Sequence, residues 1–320
     1  MKNLILFILF IAQFTANGQQ VVLHTAYSLL YSEEHEQAMW VAYTLTKEET
    51  IAQFSRSDNF RPDPMIESKS ADDLDYKGSG FDRGHLAPAA DMAWSADVMS
   101  ESFFYSNMSP QNPSFNRGIW KKLEEQIRSW AVVYDSIQIV TGPVLTADLS
   151  QIGPNKVSIP KYYYKAILDN REGRQQAIGF VMANEKIIWP IRNYAVSIDS
   201  VEKITGIDFF EGLEGELEQK LESEICTDCW DWSITKISNP NPSHSNSTQC
   251  QGKTQNGERC LIRTKNESGF CHVHQNEVPA KEQVSKRSTT VRCIGSTKAG
   301  NQCKHMTYSP NSRCFQHGGD

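Results

Sequence analysis

An α+β fold is what this chain predicts, on two observations. Short apolar strands run through its first 183 residues without the regular βα alternation of a doubly wound sheet, and the amphipathic helical segments stand apart from them. Taken in order, Tyr27–Tyr31 and Trp40–Leu45 are rich in aromatic and β-branched residues and read as strands, with the polar stretch Glu33–Met39 as a loop or turn between them. Arg61-Pro62-Asp63-Pro64 is a rigid loop. Ile119, Leu123, Ile127 and Trp130 recur at helical spacing and predict a helix with one face in the core. Two central strands follow at Ile137–Thr141 and Tyr162–Leu168. Ala177–Ala183 is nearly all apolar, which predicts a strand buried on both faces. Ser197–Thr205 and Gly215–Ser223 read as two further helices.

The ends of the chain differ from this body. Met1-Lys2-Asn3 precedes a run of apolar residues from Leu4 to Ala12, and small residues follow at Ala16 and Gly18. That pattern predicts a signal peptide over residues 1–18 and a protein exported to the periplasm or the medium. The run is too short for a bilayer, which needs about 20 residues. Net charge is −6, unevenly divided: from Ser233 onward twelve Lys+Arg face five Asp+Glu, a balance of +7, which leaves −13 for the remainder. Such a body excludes a broad basic groove, so any polyanion it handles must be held by a cation and a few local arginines.

Gly78-Ser79-Gly80-Phe81 leads into Asp82-Arg83-Gly84-His85, three reactive side chains around one glycine. Downstream stand Asn107, Asn116 and Ile119-Trp120-Lys121-Lys122-Leu123-Glu124. A base, an arginine, an amide oxygen and a helical carboxylate are the minimal kit for hydrolysing a phosphodiester with one hard cation. His85 is the general base, since an imidazole titrates near working pH. Asn116 is the Mg²⁺ ligand, because this ion prefers oxygen and keeps most of its waters; its place before an amphipathic segment also suits an N-cap, and the two roles are compatible. Asn116, Trp120 and Glu124 lie four apart on one stripe. Eight helical residues span about 12 Å, so Glu124 is assigned to a metal-bound water instead of the ion. Its alternative is a solvated i,i+4 partner of Arg128. Arg83 suits phosphate charge, Arg56 and Arg117 are weaker candidates for phosphate contact, and Gly84 predicts a close backbone approach.

The spacing Asp-Arg-Gly-His, then Asn-x8-Asn-x3-Trp-x3-Glu, is intact at Asp82–His85, Asn107, Asn116, Trp120 and Glu124. In this it resembles the DNA/RNA non-specific endonucleases of the ββα-metal superfamily. The likeness runs from about Leu23 to Trp232, through Thr141-Gly142-Pro143, Ile159-Pro160-x-Tyr162-Tyr163-Tyr164-Lys165 and Tyr194-x-Val196-Ser197-Ile198-Asp199. It implies a ββα-metal core on an antiparallel sheet with flanking helices, and Mg²⁺-dependent cleavage of DNA and RNA that leaves 5′-phosphate ends. It also implies active-site places for Arg83 and Asn107. The competing reading is a catalytically weak or inactive body that binds nucleic acid or a surface through its basic tail. Cys226 and Cys229, at the end of the body, are compatible with a disulfide, a reduced pair or a share in a metal site.

The domains this predicts are an endonuclease domain over 19–232, a linker over 233–248 rich in Pro, Asn and Ser, and two repeats over 249–276 and 291–319 separated by a linker over 277–290. The repeats share C-x-G-x-T-x2-G-x2-C-x10-C-x2-H, with Cys250, Cys260, Cys271 and His274 in the first and Cys293, Cys303, Cys314 and His317 in the second. Three cysteines and a histidine per unit match a closed tetrahedral Zn²⁺ site, and units of about 25 residues need a staple. The rival is an oxidised disulfide tail.

Overall fold

The computed structural model describes residues 18–68 and 70–235, and in the tail only 248–249, 251–253, 259, 263–264, 291–292 and 306–307. Three strands open the chain: β1 (Gln19–Leu23), β2 (Ser28–Ser32) and β3 (Gln37–Thr46). A ribbon of β4 (Asp82–His85) and β5 (Met108–Gln111) follows, then β6 (Ser136–Pro143), a small ribbon of β7 (Gln151–Ile152) and β8 (Val157–Ser158), β9 (Tyr162–Asp169), β10 (Gln176–Ala183) and β11 (Ala195–Val196). The helices are α1 (Asp73–Tyr76), α2 (Ala96–Glu101), α3 (Pro113–Phe115), α4 (Lys121–Tyr134), α5 (Ile198–Thr205) and α6 (Gly215–Ser223). Seven strands form one antiparallel sheet in the order β1-β2-β3-β6-β9-β10-β11. The α+β class is thus what forms, and the expected strands and helices are present within a few residues.

Two differences have physical reasons. β3 begins at Gln37, inside the stretch expected to be a loop. Gln37 is fully buried there because its amide donates to the Ser158 carbonyl at 2.7 Å and accepts from the Ser109 hydroxyl. A satisfied amide lets a polar residue occupy a core strand. β1, which the sequence did not suggest, starts directly after Gly18, with Gln19 opposite Ser32. The expected leader over residues 1–18 lies outside the described residues except for Gly18.

Alternation across the sheet separates two cores. Along β9, Tyr163 and Ile167 join the cluster that holds Trp120, Leu123, Ile127 and Trp130 of the α4 side. Tyr164, Ala166 and Leu168 join the other cluster, with Ile198 and Val201 of α5 and Leu221 of α6. β10 is likewise mostly buried, as its apolar run predicted. Beyond α6, Cys226 and Cys229 form a disulfide. The following segment straps α4: Trp130 packs on Trp230 and Trp232 and donates to the Asp231 carbonyl, while Ser129 bonds Ser233 and Thr235. The body therefore continues through Thr235, three residues into the expected linker.

The chain divides into two compact units, Met1–Ser243 and His244–Asp320. Within the second, Thr248–Gln249 pairs with Arg263–Thr264 and Val291–Arg292 pairs with Met306–Thr307. Each partner of the second pair lies 43 residues after its counterpart, the same offset that separates Cys293 from Cys250. The repeat in the sequence is thus a repeat of backbone pairing. The eight expected Zn²⁺ ligands lie outside the described residues.

Candidate active site

β4 carries Asp-Arg-Gly-His and pairs antiparallel with β5, Gly84 opposite Ser109 and His85 opposite Met108. Gly84 is needed for contact, as the motif suggested. A Cβ there would meet the amide end of the Gln111 side chain, which is fully buried and would have to shift. Gly84→Ala should therefore lower stability by about 1–3 kcal/mol, the range for overpacking a filled interior. Urea unfolding measures it, and a variant as stable as the parent would show that Gln111 yields.

After β5 the chain turns into helix in an unexpected way. Asn112 is the N-cap, accepting from the Ser114 amide at 2.9 Å, and Pro113 occupies the first helical position. Asn116 is therefore not the cap. It opens a π-helical turn, Asn116–Trp120, with Gly118 at φ −104° and ψ −109°, before α4 begins at Lys121. The straight stripe expected for Asn116, Trp120 and Glu124 is broken, and Trp120 is fully buried. The Asn116 amide nitrogen donates to Asp82 at 2.9 Å. That bond fixes the amide and leaves Oδ1 as a hard oxygen donor. Among the described residues, the groups of three or more acidic or metal-ligating side chains lie on α5, α6 and their connection. A single oriented amide oxygen fits a cation that keeps most of its waters, as Mg²⁺ does.

His85 is buried, with its ring edge-on to Phe103 at 4.9 Å and to Phe60 at 5.9 Å. Nε2 is enclosed without a hydrogen-bond partner. Burial, and then the nearby Arg56 charge, push the imidazole down to about 3. The expectation of an imidazole poised near neutral pH is therefore corrected: the apolar wall keeps it neutral and makes it a weaker base. Arg56 lies over the Phe103 ring at 4.7 Å and is held by Asp58 at 2.6 Å. Arg83 lies over Phe60 at 4.2 Å and donates to Asp73 at 2.6 Å. Both guanidiniums are thus stacked against the rings that enclose His85. Arg117, expected at phosphate, is engaged by Asp82 instead, through bonds of 2.8 and 2.5 Å.

Asn107 is fully buried, and its side chain bonds backbone alone. Oδ1 accepts from the Ala87 amide, and Nδ2 donates to the carbonyls of Ala87 and Ser102. It is a positioning residue that clamps the loop leaving His85. Further along that loop, Asp91 accepts from Arg128 at 2.6 Å and from the Tyr43 hydroxyl at 2.8 Å. This buried pair ties the loop to α4, so Arg128 is not the solvated partner of Glu124. Glu124 feels the charges of both Arg128 and Lys165, a fully buried lysine of β9 whose ammonium donates to the Thr141 hydroxyl at 3.1 Å and lies 4.6 Å from the Trp120 ring. Burial pushes the Glu124 carboxyl up, to about 7, opposed by the charges of Lys165 and Arg128. Burial pushes Lys165 down, opposed by Glu124. Lys165, Asp91, Asp73 and Phe60 are the members that sequence reasoning missed. Only Lys165 carried a signal, as a charge at a core-facing position of an apolar strand.

Ribbon, turn and helix thus surround this histidine in the spatial order β, β, α. Residues 8–216 match the model of the DNA/RNA non-specific endonuclease family, and the chain belongs to that family. It is 32% identical over 228 residues to "Nuclease EXOG, mitochondrial" of Danio rerio, covering 66% of this chain and 65% of that protein. It is 34% identical to "Endonuclease G, mitochondrial" of Homo sapiens, over 58% of this chain and 67% of the other, and 32% identical to "Nuclease" of Nostoc sp., over 62% and 76%. The chain thus spans just under two thirds of the length of the zebrafish relative. Among solved structures, the EndoG/EndoGI complex matches with TM-score 0.57 and 31% identity, over 61% of this chain and 86% of that one. In the tail, residues 247–286 match a domain of unknown function.

Proposed function

We propose that the protein is an exported, Mg²⁺-dependent endonuclease that hydrolyses DNA and RNA without selecting the sugar. The observation that carries this is a His85 ring held neutral beside two stacked arginines, on the ribbon whose Asp82 orients the Asn116 amide. Bound at Asn116 Oδ1, the cation would act as a Lewis acid toward the phosphate and lower the pKa of a bound water. The chain's own residues do the rest. His85 would take the proton from the attacking water, and its lowered basicity means that the cation would have to make that water more acidic. Arg83 and Arg56 would neutralise phosphate charge, Arg117 holds Asp82, and Glu124 would accept from water beside the cation. The products carry 5′-phosphates, as in the family. Nine apolar residues behind a single Lys, without the Arg-rich character of a mitochondrial leader, support export. No helix among the described residues is long and apolar enough to cross a membrane.

Plasmid and total RNA digested with Mg²⁺, with EDTA, and with Mg²⁺ restored test the reading. Both substrates should disappear only when the metal is present. Retention of nucleic acid without cleavage would favour the binding protein that uses its basic tail.

For that tail the reading is two structural Zn²⁺ ions, at Cys250, Cys260, Cys271, His274 and at Cys293, Cys303, Cys314, His317. The same antiparallel strand pairing in the two copies supports two equivalent units. With its +7 balance the tail would tether the acidic body to its polyanion and raise local substrate concentration. Elemental analysis should find close to two zinc per chain; no zinc and no titratable thiols would leave the disulfide alternative.

A further inference from the structure

The face of the sheet away from α4 holds a second concentration of charge that the nuclease reading does not use. Ser197 caps α5, whose Ile198 and Val201 are fully buried, and α6 sits beside it through Leu221. Five carboxylates gather where these helices meet. One oxygen each from Asp199, Glu202 and Glu222 lies within 4.8 Å of the others, and the same holds for Asp208, Glu218 and Glu222. Glu222 belongs to both groups, and it is the buried member, only 8% exposed. Its Oε1 is enclosed and has no hydrogen-bond partner.

A buried acceptor oxygen with no donor is costly, and here its electrostatic neighbours are four further acids: Glu202, Glu218, Asp208 and Asp199. Burial and those neighbours push the Glu222 carboxyl up to about 8. Glu202 has one oxygen committed to the Phe209 amide at 2.9 Å, which pins the chain leaving α5 beside the cluster. Oxygen-only donors of high negative charge, with exposed members open to water, suit a hard cation of six to eight ligands better than a thiol- and imidazole-seeking one.

We propose that Glu222 is the inner ligand of a second cation site, of the Ca²⁺ type, between α5 and α6 and independent of the phosphodiester site. Both triads run through Glu222, so one ion held by this carboxylate would draw on both. Its effect would be to hold α5 and α6 together by neutralising charge that otherwise drives them apart.

The test uses the full chain carrying Asn116→Ala, so that the nuclease site does not contribute. Calorimetric titration with Ca²⁺ should show one ion bound per chain, and Ca²⁺ should raise the melting temperature, since a ligand of the folded state alone stabilises it. Adding Glu222→Gln, which keeps the shape of the side chain, should weaken binding at least tenfold and remove the thermal shift. The exposed pair Asp199→Asn with Asp208→Asn should weaken binding while the fold is retained, and it decides the matter should Glu222→Gln fail to fold. No Ca²⁺ binding in the Asn116→Ala chain, or equal binding after these substitutions, overturns the site. Neither result bears on whether the protein cleaves nucleic acid.

Discussion

Replacing His85 with alanine is expected to slow plasmid cleavage by about 10²–10⁴-fold, the usual cost of a missing general base. The melting transition should stay cooperative, because Phe60 and Phe103 still pack against one another at 4.9 Å. The low imidazole pKa adds a signed expectation. A histidine whose folded pKa is depressed contributes stability above its unfolded value of about 6.5, and loses it as pH falls toward the folded value. Acidification from pH 6.5 to 4 should therefore destabilise the wild type more than His85→Ala. Over the same interval the His85 ring should stay unprotonated in an imidazole NMR titration. A midpoint near 6.5 would show that the apolar wall does not depress the imidazole, and an alanine variant with wild-type cleavage would remove His85 from its role.

Asn116→Ala is the second large effect. It deletes the oxygen assigned to the cation and removes one donor from Asp82, which Arg117 still holds. Losing a partner of a ligand typically costs 10–100-fold in metal affinity or activity, so losing the ligand should cost at least about 100-fold. Excess Mg²⁺ should recover part of the rate by mass action. Rates measured across a Mg²⁺ series check this; a variant whose Mg²⁺ dependence matches the wild type would place the ion elsewhere. Glu124→Gln should be the milder change, since the proposed role of Glu124 is to act on the cation through water alone.

Much of the site was legible because its chemistry dictates residue types at fixed spacing. His85, Arg83, Asn116 and Glu124 stood out from the chain alone, and so did the close approach at Gly84. The sheet was legible for a similar reason: Tyr162–Leu168 and Ala177–Ala183 can only be strands when both faces are covered. What could not be read was whatever depends on distant segments meeting. Asp91 reaches Arg128 across 37 positions, and the charge of Lys165 on β9 acts on Glu124 of α4. Arg117 looked free for phosphate because nothing local shows Asp82 beside it, 35 residues away. The pKa of His85 belongs to the same group, since it is set by Phe60, Phe103 and Arg56.

The π-turn at Asn116–Trp120 amounts to one residue more than an α-helix would use over the same length. An α-helix rotates about 100° per residue. Deleting Gly118 would give the chain a regular helix and relieve its one non-helical backbone position, so by local criteria the shortened segment is the better helix. It would also swing Asn116 roughly a quarter of a turn away from Asp82. The extra residue therefore sets both the direction of the Asn116 amide and the register of buried Phe115 against Ile119 and Trp120.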